Sequence, residues 1–183
     1  MPRMTPEDLV EYLNEPHVGV IASLKRDGSP YTVPVWWLWE PDSSAPAYPS
    51  GPFQYAGGDL WLVGTTNRIW CKQLMHDGRS SLCIESGQPF TAHVEFDGVC
   101  EALMLPEFDI WPMSRRLAEK YVGRGDPANR DAVDKFFDNM KTEPRMLFRM
   151  RPSVVRAIDM RVYRGKRADR EHQAGLAREG RVV

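Results

Sequence analysis

Two hydroxyl residues and two cations gather where an apolar segment gives way to a polar one. The segment Leu60–Leu74 reads LWLVGTTNRIWCKQL, and its changeover contains Thr65, Thr66, Arg68 and Lys72. Backbone amides at the start of a helix bind anions, and hydroxyl and cationic side chains add hydrogen bonds to them. A helix places residues four positions apart, such as the two cations, on one face. The pattern predicts a phosphate site; alternatively, Asn67 caps the helix and the cations are only solvated.

A second candidate is the aromatic segment Tyr31–Glu40, which reads YTVPVWWLWE. Strand alternation places apolar side chains on both of its faces, so both faces are expected to be covered. Pro34 cannot donate a ladder hydrogen bond, which indicates an edge strand, a bulge or a neighbouring ligand. Trp36, Trp37 and Trp39 either fill the core or form a wall for a flat aromatic ligand.

Other residues with chemical potential give weaker signals. His93, Glu95 and Asp97 alternate along one strand face, which suits a metal site but is more typical of the solvent side of a strand. The three cysteines, none in a CxxC pair, predict reduced and mostly buried thiols. The sequence has no nucleophile elbow, Walker loop, GxGxxG or HExxH motif. We therefore predict no catalytic residue and no metal ligand, and expect any chemistry to belong to a bound cofactor.

The composition of the chain limits its partners. The 183 residues include 24 basic and 25 acidic ones, a net charge of −1, so no nucleic-acid or anionic-membrane partner is predicted. No apolar run approaches the roughly 20 residues needed to cross a bilayer, and the N-terminus lacks the apolar stretch of a secretory signal. The protein is therefore expected in the cytoplasm.

Strands dominate the predicted elements that would hold these residues. Thr5 caps a short helix that ends before Pro16, and an Asp27-Gly28 turn joins the first two strands. The segment Pro41–Asp59 is rich in Pro, Gly and Ser and is predicted to be a long loop, either a lid over a site or floppy. A third strand, a short helix and two further strands follow, then two helices and one or two final strands.

This order of elements lacks the alternation of a doubly wound sheet. We predict a mainly β fold in which six or seven antiparallel strands close into a small barrel with flanking helices. One domain is expected over residues 1–163. The polar segment 164–183 is predicted to be a tail or an arm on a partner subunit.

Three segments together resemble the pyridoxamine 5'-phosphate oxidase-like, flavin-binding split-barrel proteins. VGVIASLKRDGSPYTVPVWWLW resembles the opening hairpin and PVW strand of this family, LWLVGTTNRIWCKQL its phosphate-holding strand and helix, and VEFDGVCEALML its long strand with a central glycine. The resemblance covers roughly Thr5 to Met160. It implies a six-stranded antiparallel split β-barrel of the FMN-binding type, usually a homodimer with the cofactor at its interface. Members bind FMN or, in one branch, a deazaflavin; a few bind haem or do no known chemistry.

The resemblance also implies which residues hold the cofactor. The ring would lie along Val33, Pro34, Val35 and Trp36, and the phosphate would contact Thr65, Thr66, Arg68 and Lys72, with Gln73 nearby. Many relatives carry adjacent Arg and Lys where this sequence has Ile69 and Trp70. Either Arg68 and Lys72 supply that charge, or the helix starts one residue differently, or phosphate is held weakly.

The function implied is FMN-dependent hydride transfer to or from a small organic substrate. One alternative is a reductase of the same fold that uses the deazaflavin coenzyme F-420. Another is a non-catalytic barrel that stores or senses a cofactor. A third is a haem protein with His93 or His17 as the iron ligand.

Overall fold

The computed structural model describes residues 3–50, 52–86 and 92–160. Its α-helices are α1 (Pro6–Asn14), α2 (Ile69–His76), α3 (Trp111–Ala118) and α4 (Arg130–Met140). Its strands are β1 (Gly19–Leu24), β2 (Pro30–Val35), β3 (Trp37–Pro41), β4 (Tyr48–Ser50), β5 (Phe53–Tyr55), β6 (Gly58–Thr65), β7 (Arg79–Glu85), β8 (Ala92–Leu103) and β9 (Arg145–Asp159). A π-helical turn (Glu119–Gly123) and a 3-10 turn (Pro127–Asn129) connect α3 to α4. The predicted tail, 164–183, lies outside the described residues, and no helix within them is long and apolar enough to cross a bilayer.

One antiparallel sheet, in the order β2-β1-β7-β8-β9-β6-β3, forms the barrel. Its two edge strands, β2 and β3, are consecutive in the chain and separated only by Trp36. The chain itself therefore joins the two edges. Counted as one bent strand, β2 and β3 give the predicted six strands; counted separately, the sheet has seven. The mainly β prediction is confirmed, and Pro34 lies on an edge strand opposite Val20 of β1, as its missing N–H indicated.

The barrel interior is apolar and closed to solvent. Side chains from six strands fill it without measurable exposure: Ile21, Trp37, Leu62, Leu82, Phe96 and Phe148. Strand alternation explains this filling, because on β8 Val94 and Phe96 are buried while His93, Glu95 and Asp97 remain partly exposed. Burial of this apolar surface is the main favourable contribution to folding.

The alternating acidic row on β8 is paired with a cation from β9. Arg156 donates to the carboxylate of Glu95 at 2.6 Å and to that of Asp97 at 2.7 Å. His93 lies 3.5 Å from Glu95. No group of metal-ligating side chains occurs in the ranges that the structure describes. The row is thus an outward ion-pair network, in agreement with the solvent-face interpretation.

The described residues leave the outer face of β1 and β2 partly uncovered. Thr32 and Pro34 are exposed, and the exposed fractions of Val18 and Val20 are 48% and 43%. Within the described residues, the expectation that both faces of the aromatic segment are covered is therefore wrong at Thr32 and Pro34. Trp37, on the inner face, is fully buried.

The long segment Pro41–Asp59 contains the paired strands β4 and β5 rather than only a loop. Tyr55 is buried and its hydroxyl donates to the Met4 carbonyl at 2.9 Å. The β4–β5 hairpin leads directly into β6, which begins at Gly58 and ends at Thr65. The two ends of this eight-residue strand are about 23 Å apart. Within one chain this segment is therefore not a lid over the turn after β6.

The two ends of the fold follow local signals. Thr5 caps α1 in a capping box with Asp8, and the helix ends at Asn14, as predicted. The final segment is one strand, β9, with a register shift against β8 at Asp97/Gly98. Two of the three free cysteines, Cys71 and Cys100, are buried and Cys83 is exposed, which confirms mostly buried thiols.

Candidate functional site

Close packing between β6 and α2 shapes the turn that joins them. A Cβ on Gly64 would lie 2.3 Å from Cys71 Sγ, so glycine is what allows the helix to fold back onto the strand. Trp70, 4% exposed, anchors α2 on the barrel, and Ile69 beside it is 59% exposed. Of these two positions, at which the resembled family would have cations, Trp70 is used here for core packing and Ile69 faces solvent.

The start of α2 leaves its first backbone amides without a side-chain cap. Arg68 is the N-cap residue, and its side chain makes no capping hydrogen bond. The alternative in which Asn67 caps the helix is wrong, because Asn67 instead accepts a hydrogen bond from the Thr65 hydroxyl. Thr66 N–H donates to the Pro144 carbonyl at 3.1 Å, which ties the turn to the segment before β9. Uncapped amides next to a guanidinium suit an anion.

Tyr121, from the π-helical turn, fixes the aromatic wall. The ring of Trp36 stacks on it with centroids 4.7 Å apart and an interplanar angle of 2°, and lies 5.3 Å from Phe136. The Tyr121 hydroxyl accepts from the Trp37 N–H at 3.1 Å and donates to the His17 carbonyl at 2.8 Å. Burial raises the pKa of this hydroxyl. The neighbouring tryptophans therefore divide the two predicted roles, with Trp37 in the core and Trp36 on a wall.

A cavity of about 510 Å³ joins this wall to the turn before α2. Four predicted site residues line it: Pro34, Val35, Trp36 and Arg68. Further apolar lining comes from Val18, Val63, Trp70, Phe136 and Met140. The fold thus brings together two segments that the sequence keeps apart. The lining combines aromatic and aliphatic side chains with a guanidinium group, which suits an amphipathic anionic ligand.

Three polar residues of the cavity were missed by the sequence reasoning: Asn139, Glu143 and Arg145. Arg145 lies opposite Thr65 in the pairing of β6 with β9. Its Nε donates to the Met140 carbonyl at 3.2 Å, and its Nη2 lies 2.5 Å from the Glu143 carboxylate. No local motif marks these residues, and only the pairing of the last strand with β6 would have pointed to them.

Five predicted site residues are not part of this lining: Val33, Thr65, Thr66, Lys72 and Gln73. Thr65 is buried, with 3% exposure. Lys72 and Gln73 line a smaller hollow of about 250 Å³ together with Arg26 and His76. The two cations of α2 therefore share a helix but not a cavity. His17 and His93, the residues of the haem alternative, do not line the larger cavity either.

Lys120 is a largely buried amine behind the wall. Its Nζ lies 3.5 Å from the centroid of the Trp37 ring and donates to the Leu13 carbonyl, in the last turn of α1, at 2.8 Å. Burial lowers its pKa to about 7. The contact favours a cation at the helix C-terminus, so Lys120 links the π-helical turn to α1.

Comparisons with known proteins give structural matches only. No sequence-family model and no curated protein sequence matches this chain. The conserved hypothetical protein Rv2991 from Mycobacterium tuberculosis is 22% identical with a TM-score of 0.57, over 86% of each chain. An F420 reductase is 17% identical with a TM-score of 0.53, over 85% of this chain and 98% of that one. A putative pyridoxamine 5'-phosphate oxidase from Listeria innocua is 14% identical with a TM-score of 0.51, over 84% and 97%.

The chain has the split-barrel fold of the pyridoxamine 5'-phosphate oxidase-like proteins. The resemblance drawn from the sequence is thereby confirmed at the level of the fold. Split barrels among the matches differ in what their names say they bind, since they also include a FAD-binding protein and a heme storage protein. The function of this split barrel must therefore be argued from its own cavity.

Proposed function

We propose that this split barrel binds a flavin-type redox cofactor, FMN, in the cavity between Trp36 and Arg68. The cofactor would serve hydride transfer to or from a small organic substrate. The observation that carries the proposal is the union of an aromatic wall and a guanidinium group in one cavity. These are the two segments in which the sequence resembles the cofactor-holding elements of flavin-binding split barrels.

The cavity fits FMN in size and in chemistry. Its volume of about 510 Å³ falls within the roughly 300–1,000 Å³ usual for such sites. Pro34, Val35 and Trp36 offer an apolar surface to a flat ring. Arg68, Arg145 and the uncapped amides of α2 offer charge-assisted hydrogen bonds to a phosphate. Arg145 would supply a second cation in this cavity, which Lys72 of α2 does not line.

The residues of this chain would bind and orient the cofactor, and they would exclude water from it. When bound, FMN supplies the hydride chemistry itself. Stacking on Tyr121 fixes the orientation of the Trp36 ring against which the cofactor ring would lie. Phe136 and Met140 make the neighbouring surface of the cavity apolar. Glu143 is paired with Arg145, so we assign no catalytic acid or base in the cavity.

Titration of the purified protein with FMN, followed by flavin fluorescence and absorbance, tests the binding step. We expect saturable binding with a perturbed flavin spectrum. The bound flavin should then be reduced by a nicotinamide nucleotide without oxygen and reoxidised by a small organic acceptor. Binding without turnover would favour a cofactor-storage barrel, and failure to bind either FMN or coenzyme F-420 would refute the proposal.

A deazaflavin-dependent reductase is the second candidate, favoured by the smaller hollow that Lys72 lines. Arg26, Lys72 and His76 line that hollow, and α2 contributes to both it and the larger cavity. Its charge suits a cofactor tail with more negative groups than one phosphate. Parallel titration with coenzyme F-420 decides between the candidates. Tighter binding of F-420 than of FMN, reduced by Lys72→Ala, would favour the deazaflavin.

We further propose that a second copy of the chain covers the outer face of β1 and β2. Val18 and Val20 are about half exposed, and Val18 and Pro34 also line the cavity. Adjacent exposed apolar side chains are typical of an interaction surface. Sedimentation should give a dimer, and Val20→Glu should give a folded monomer with weaker FMN binding. A monomeric wild-type protein with full FMN affinity would contradict this part.

A further inference from the structure

Among the described residues that line the larger cavity, Glu143 is the one carboxylate. The same lining contains two cations, Arg68 and Arg145. A carboxylate beside an anion site opposes the binding of a second negative charge.

The Glu143–Arg145 ion pair joins a largely buried cation to a half-exposed carboxylate. The Arg145 side chain is 13% exposed, and its Nε donates to the Met140 carbonyl at 3.2 Å. Glu143 is 48% exposed on the turn after α4, and its carboxylate lies 2.5 Å from Arg145 Nη2. Loss of this pair would leave Arg145 with part of its hydrogen-bonding capacity unused, because a guanidinium has five N–H donors.

The two cations of the cavity differ in this respect. Arg68 is exposed and forms no ion pair with any residue in the described ranges, so its charge is available to a ligand. Arg145 is already neutralised by Glu143. A ligand that uses both guanidinium groups therefore competes with the Glu143 carboxylate for the charge of Arg145.

We infer that Glu143 is an internal counter-ion, which neutralises Arg145 in the absence of a ligand and yields this guanidinium to the phosphate of an entering one. The inference rests on the proposed flavin site. A phosphate carries nearly two charges and three acceptor oxygens, so it competes for the guanidinium better than a carboxylate does. Displacement of the carboxylate lowers the affinity for a phosphorylated ligand, whereas a ligand without an anionic group leaves the pair intact.

Glu143→Gln tests the inference when FMN and riboflavin, which lacks the phosphate, are titrated at low salt. Removal of the carboxylate should lower the Kd of FMN by about three- to tenfold and leave the Kd of riboflavin unchanged. Asp138→Asn is the matched control, because Asp138 lies near the same end of α4, pairs with Lys141 at 3.0 Å and is 74% exposed. It should leave both constants unchanged. Glu143→Ala should reproduce the gain if Glu143→Gln does not fold.

Several outcomes would overturn the counter-ion role while leaving the flavin site in place. These are equal or weaker FMN binding by the Glu143 variants, an equal gain for riboflavin, or an equal gain in Asp138→Asn. If neither flavin binds any variant, the proposed function fails, and inorganic phosphate then tests the pair alone. Greater thermal stabilisation of Glu143→Gln than of the wild type by phosphate would support the counter-ion role, and equal stabilisation would overturn it.

Discussion

Replacing Arg68 with alanine distinguishes a phosphate site at the start of α2 from a pair of solvated cations. Arg68 lines the cavity that also contains Trp36 and Arg145. A hydrogen bond to a charged group contributes about 1.5–3 kcal/mol. Because Arg68 is exposed, solvent screening reduces this contribution, and we expect a loss of about 1–2 kcal/mol in FMN binding. The Kd of FMN should therefore rise about 5- to 30-fold.

Lys72→Ala is the matched control for this measurement. It removes the same charge from the same helix, one turn away, but Lys72 lines the smaller hollow instead of the larger cavity. We expect it to change the Kd of FMN by no more than about twofold. Both variants should be titrated by flavin fluorescence at low and high salt, and the effect of Arg68→Ala should shrink as salt increases. Equal losses in the two variants, or no loss in Arg68→Ala, would refute the assignment of Arg68 to the phosphate.

Three further predictions concern stability. Gly64→Ala should lower the free energy of unfolding by about 1–3 kcal/mol, because its Cβ would meet Cys71 Sγ at 2.3 Å; denaturant unfolding measures this, and adding Cys71→Ala should recover part of the loss. Tyr121→Phe should cost about 1–3 kcal/mol because the buried Trp37 N–H loses its acceptor, and wild-type stability in this variant would contradict the assignment. Burial lowers the pKa of Lys120 to about 7 in the folded protein, whereas the amine has a pKa of about 10.4 in the unfolded chain. Above pH 7 the unfolded state therefore binds more protons than the folded state, and the free energy of unfolding increases with pH. Between about pH 7 and pH 8.5 the wild type should gain about 1–2 kcal/mol relative to Lys120→Met, and parallel pH profiles in chemical denaturation would argue against it.

The sequence predicts those parts of the fold that depend on neighbouring residues. The cap at Thr5 and the edge position of Pro34 follow from side-chain and backbone chemistry that acts within a few residues. The cap at Asn67 is wrong because the Asn67 side chain instead accepts a hydrogen bond from the Thr65 hydroxyl. The helix α2 then starts only after Arg68.

The candidate site is predicted in part for the same physical reason. Pro34 and Arg68 belong to segments whose composition marks them, and the cavity contains both. Arg145 and Glu143 carry no local signal, since only the long-range pairing of β6 with β9 brings Arg145 opposite the turn. Lys72 was grouped with Arg68 because they share a helix face, but a shared face does not require a shared cavity.

Barrel closure and the aromatic wall have one origin in this fold. β2 and β3 lie at opposite edges of the sheet but are joined through Trp36, so this residue leaves the ladder and its ring stacks on Tyr121 outside the barrel. Trp37, the next residue, returns to the core and is fully buried. Trp37→Leu should therefore cost about 2–4 kcal/mol of stability. Trp36→Leu should cost less than about 1.5 kcal/mol but weaken FMN binding at least severalfold. Denaturant unfolding and FMN titration of both variants test this assignment of Trp37 to the core and Trp36 to the cavity wall. The assignment would be contradicted if Trp37→Leu impaired FMN binding alone, or if Trp36→Leu lost stability without losing FMN affinity.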